Sequence, residues 1–79
     1  MEFVVGDMVI STAGTDGDDR AIEFLVASRG GEDAEEAHFA IYREHGRGWE
    51  AARLAIDPLS GSVPVAAVEW AVEFAREYL

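Results

Sequence analysis

Three aspartates fall within four positions of the segment TAGTDGDDR: Asp16, Asp18 and Asp19. Clustered carboxylates in a glycine-containing loop are the donor type that a hard divalent cation takes. A helix–loop–helix calcium loop needs a glutamate at its twelfth position. Counting from Asp16, that position is Ala27, and the flanks read as strands rather than helices. The cluster therefore predicts a polar hairpin loop and no metal, and its carboxylates become candidates for contact with a cationic partner. A second acidic run, Glu32, Asp33, Glu35 and Glu36, follows in GGEDAEE.

The other chemistry-bearing residue types point away from catalysis. Two histidines, His38 and His45, are present. On one strand they stand about 23 Å apart at ~3.3 Å per residue, too far to share an ion. The chain has no cysteine and no lysine. That excludes disulfides, thiolate zinc sites, thiol nucleophiles and Schiff bases. Ser11, Ser28, Ser60 and Ser62 lie in no nucleophile-elbow pattern, and no phosphate-cradling glycine motif occurs. The expectation is a binding protein without cofactor, not an enzyme.

Net charge narrows the class of partner. Sixteen acids stand against six bases, all arginine, for a formal charge of −10. Such a surface repels nucleic acids and anionic membranes and attracts basic protein surfaces. The two acidic clusters flank one predicted strand, separated by roughly 26 Å at ~3.3 Å per residue. That is the scale of phosphates across a DNA groove. The expected function is a small acidic inhibitor or nucleic-acid mimic that blocks a basic nucleic-acid-binding protein. Phage anti-CRISPR and anti-restriction proteins act in this way, although no motif here ties the chain to any one of those families. The alternative is a dimerisation or protein-interaction module of a halophilic or GC-rich organism. Arginine without lysine, among many alanines and glycines, also follows from GC-rich coding.

These residues need a frame. Seventy-nine residues, 49% hydrophobic, suit one domain spanning 1–79. A chain this short buries roughly 60% of its unfolded surface. The start MEFVVGDMVI lacks a basic stretch followed by a long apolar run, so it reads as neither signal peptide nor membrane span. With no cysteine, a cytoplasmic location is expected.

FVVGDMVIS predicts a strand over 2–12. RAIEFLVAS predicts another over 20–28, with Ile22, Phe24 and Val26 on one face and Glu23 on the other. The middle segment has two readings. Asp33 as cap and Gly46 as stop suggest a helix over 33–45, giving a ββαβα order. On a helix, however, Phe39 and Ile41 would stand about 200° apart, whereas a strand puts them on one face. A Gly46–Arg47 turn would pair Phe39 with Leu54, Ile41 with Ala52, Ala37 with Ile56, and Arg43 with Glu50. We therefore expect strands over 36–45 and 48–57. Their other face would collect His38, Tyr42, Trp49 and Arg53, a composition found in binding hot spots.

Pro58 and Gly61 mark a loop, and Pro64 opens a helix over 64–78. The helix is apolar over roughly 220–260°, where a surface helix needs just over about 100°. Val65, Val68, Val72, Ala75 and Leu79 are expected against the sheet. Trp70 and Phe74 fall at the opposite margin, covered by the loop around Leu59 and Val63 or by a second copy in a homodimer. The predicted fold is α+β: a four-stranded antiparallel meander with one C-terminal helix on one face. Self-repulsion at −10 should make the fold salt-stabilised. Between about 10 mM and about 1 M NaCl, thermal melts should show a rise of roughly 4–8 °C, equivalent to about 1 kcal/mol for a domain of this size.

Overall fold

A computed structural model, which describes residues 1–15, 20–28, 36–44 and 46–79, folds the N-terminal apolar run back on itself at Gly6. Two strands result where the sequence reads as one: β1 (Glu2–Val5) and β2 (Met8–Thr15). Val5 pairs with Met8, so Gly6 and Asp7 form a two-residue hairpin loop. Gly6 has φ +58°, and no non-glycine residue among those described has positive φ. A positive φ at the first central position is what a type II′ hairpin asks of its glycine. β3 (Arg20–Ser28), β4 (Ala37–Arg43) and β5 (Arg53–Ile56) continue the meander, and α1 (Val65–Tyr78) follows. The protein is thus α+β, with five antiparallel strands in chain order and one C-terminal helix.

Residues 37–43 are a strand, which removes the helical reading of 33–45 over that span. The Gly46–Arg47 hairpin does not form. Arg47 N–H donates to the Glu44 carbonyl at 3.2 Å, and Gly46, at φ +78°, is the third residue of that turn. A single 3-10 turn, Trp49–Ala51, then precedes β5. Phe39 consequently pairs with Ile56 and Ile41 with Leu54, a slip of two residues from the expected register. A slip of two preserves the face of every side chain, because strand periodicity is two. The apolar face survives, but the Arg43–Glu50 pair is lost because Glu50 lies in the 3-10 turn.

That face forms the core. Ile10, Ile22, Phe24, Val26, Ala37, Phe39 and Ile41 are buried together with Ala67, Ala71 and Ala75 of α1. Phe24 and Phe39 are cross-strand partners whose rings stack at 5.0 Å and 14°. The helix meets them with alanine at every fourth position, so its backbone can approach the rings closely. This corrects the expected stripe: Val65 is 73% exposed, while Val72 and Leu79 pack at the flank. The other flank is covered by β1 rather than by the Leu59 loop. The Phe3 ring lies 5.0 Å from Trp70 and 5.3 Å from Phe74, and Leu59 is 94% exposed.

A larger side chain within the alanine stripe would lift the helix. Ala71→Leu should lower stability by about 1–3 kcal/mol through overpacking. Ala66→Leu, on the exposed side, should change it by less than about 0.5 kcal/mol. Urea unfolding of the two variants is the measurement.

Candidate functional site

The helix covers one face of the sheet and leaves the other open. Cross-strand partners share a face, so Ala21, Glu23, Leu25, His38, Ala40, Tyr42, Arg53 and Ala55 lie on the open side. A shallow concavity crosses its middle, with Ala13, Ala40 and Ala55 keeping the floor low between Glu23 and His38. His38 and Asp57 meet across the end of the ladder. The Asp57 N–H donates to the His38 carbonyl at 3.1 Å, and the His38 N–H donates to Ser60 Oγ at 2.9 Å. Asp57 Oδ1 accepts from the Leu59 N–H at 2.9 Å, which turns the chain away from the sheet. The His38 ring and the Asp57 carboxylate form no ion pair.

The predicted contact residues divide. Tyr42 and Arg53 are cross-strand partners on the open face, Tyr42 half-buried and Arg53 exposed. Trp49 does not join them. The 3-10 turn carries it to the helix side, where it packs against the core and the Arg76 guanidinium lies 5.2 Å from its ring centroid. Burial explains the departure, since an indole gains more against apolar residues than on an exposed ladder. Glu36 is exposed immediately before β4. Asp16, Asp18, Asp19, Glu32, Asp33 and Glu35 lie outside the described residues. Among the described residues, no three carboxylate or imidazole side chains converge as a metal site.

The charges are arranged in an unusual way. All ten acids among the described residues are exposed. None of them forms an ion pair with a described arginine. Arginine partners are of other kinds. Arg43 donates from Nη1 to the Arg47 carbonyl and from Nη2 to the Leu79 carbonyl at the end of α1. Arg76 stacks on Trp49. Arg20 and Arg43 are cross-strand neighbours. A main-chain oxygen at a helix C-terminus and the face of an indole both attract a cation without engaging an acidic side chain.

Neither protein-family models nor curated proteins nor solved structures give a match to this chain.

Sequence reasoning missed one surface altogether, the free edge of β5. Leu54 and Ile56 are 45% and 53% exposed there, on the helix side. Their apolar alternation was visible, but β5 is the edge strand and the helix packs on β3 and β4, which leaves them uncovered. Trp49→Ala should cost about 2 kcal/mol, roughly half the loss for a fully buried aromatic. Arg53→Ala should cost less than about 0.5 kcal/mol. Chemical denaturation of both variants checks the reassignment of Trp49 from the open face to the core.

Proposed function

We propose that this protein acts by binding a basic protein surface with its carboxylates, as a small acidic inhibitor or nucleic-acid mimic. The observation that carries the reading is that none of the described acids is paired with a described arginine. Ten exposed carboxylates are left without arginine partners, while Arg43 and Arg76 are engaged by carbonyls and an indole. A carboxylate that is already paired must give up its partner to bind another cation; these need not. A net charge of −10 supplies long-range attraction for a basic partner and repulsion for nucleic acid. Absence of thiol and lysine favours binding over catalysis. Tyr42 and Arg53 on the open face add residue types that anchor interfaces.

Competition with an immobilised polyanion tests the reading. Nucleic-acid-binding proteins held on heparin resin should be released by micromolar amounts of this protein. The Asp16/Asp18/Asp19 triple lysine variant should release far less than the Glu2/Asp57/Glu77 triple lysine variant, although both change net charge by +6. Equal loss in both would leave only generic acidity and defeat the mimic. Release should weaken steeply as salt is raised, because the attraction is screened over about 8–10 Å near physiological strength.

A further inference from the structure

The two edges of the sheet are differently equipped. In an antiparallel ladder, alternate residues turn their N–H and C=O toward and away from the neighbour. At the β1 edge, Thr12 N–H donates to the Met1 carbonyl at 2.8 Å, and the Met1 amine donates back to the Thr12 carbonyl at 3.1 Å. Counting by twos, Phe3 and Val5 bond inward, and Glu2 and Val4 face out. A charged residue among the outward groups guards that edge. At the β5 edge, the Asp57–His38 bond sets the phase. Arg53 and Ala55 bond inward to Tyr42 and Ala40, so Leu54 and Ile56 present free N–H and C=O groups outward. No charge sits among those outward residues. Their side chains lie on the helix side and are 45% and 53% exposed.

We infer that the β5 edge pairs antiparallel with the β5 edge of a second copy of this chain, about a two-fold axis through Ala55. That register sets Leu54 opposite Ile56 of the other copy, twice. Both are outward-bonding, so the two pairs exchange four backbone hydrogen bonds. The same register sets Arg53 opposite Asp57 of the other copy, also twice. These are non-hydrogen-bonded positions, where side chains come closest. Both residues are exposed, and no ion pair engages either within one chain. Opposite charges at facing positions stabilise a sheet. The edge therefore carries its own complement: plus, apolar, small, apolar, minus. That symmetry favours a second copy over a foreign strand. Net charge of −10 on each copy opposes association, and the contact is short, so the dissociation constant is expected on the order of 10–100 μM. The inference goes beyond the carboxylate-binding reading and does not depend on it.

Amide NMR and sedimentation over a dilution series test it with the intact chain at about 0.15 M NaCl, where the Debye length is about 8 Å. The Leu54 and Ile56 amide shifts should move with concentration as sedimentation passes from dimer to monomer. Arg53→Asp should weaken association by about tenfold or more, since both facing pairs become repulsive. Exchanging the charges, Arg53→Asp with Asp57→Arg, should restore it. Circular dichroism of both variants confirms that their folds are retained. A wild-type chain still monomeric at about 1 mM, far above that estimate, overturns the proposal. So does an Arg53→Asp variant that dimerises like the parent, or a charge exchange that does not rescue a folded variant. Amide shifts at Leu54 and Ile56 that appear only when a basic peptide is added would give the edge to a foreign strand and equally overturn it.

Discussion

The alanine stripe of α1 over the stacked rings of Phe24 and Phe39 is the contact on which the rest of the structure depends. Alanine at 67, 71 and 75 removes side-chain bulk from the helix face, so the helix settles low over β3 and β4. Only from that height can Trp70 and Phe74 on one flank meet Phe3 on β1, and Arg76 on the other meet Trp49. The helix thereby reaches β1 on one side and the Trp49 turn on the other although it lies over the middle. A taller stripe of valine or leucine would bury more area per residue but would break the lateral aromatic contacts. Close approach serves this small core better than side-chain volume.

Much of this was legible in the sequence, and the failures have physical causes. Alternation placed Ile22, Phe24 and Val26 inward with Glu23 out, and the 200° conflict between Phe39 and Ile41 correctly rejected a helix over 37–43. Strand β3 and helix α1 lie almost where they were read. Gly6 was the unread signal. GD between apolar residues is hairpin chemistry, and treating FVVGDMVIS as one strand cost the fifth strand. The β4–β5 register failed because pairing rules count residues and take no account of Trp49 seeking the core. The helix face was read in part: Ala75 is buried and Val72 and Leu79 pack against the core, but Val65 is exposed and the centre of the stripe is Ala67 and Ala71, because hydrophobicity ranks valine above alanine whereas close approach to aromatic rings selects the reverse. Of the contact residues, Tyr42 and Arg53 stayed together and Trp49 left them.

The electrostatics follow a division of labour. Arginine in this chain is structural where its partners are described. Arg43 closes the end of α1, and Arg76 covers an indole. The described acids form no ion pair with a described arginine and enter the fold only through the hydrogen bonds that Asp57 accepts from Leu59 and Glu2 from Ser11, while mutual repulsion at this net charge works against it. A protein that retains sixteen acids against six bases under that penalty accepts a cost in stability. The cost is explicable if the charge serves contact with another molecule, and it scales with how little salt the surroundings hold.

The order of elements along the chain bears on how the fold is reached. Every strand pairs with its sequence neighbour, so all strand contacts are local in sequence and the sheet can assemble by zipping along the chain. The helix that covers it follows all five strands. On a ribosome, which delivers roughly 5–20 residues per second, the sheet can therefore form before its lid has been made. Ile10, Phe24 and Phe39 would then face solvent or a chaperone until α1 emerges. During that interval the net negative charge sets neighbouring nascent chains against one another and so opposes the meeting of bare sheets.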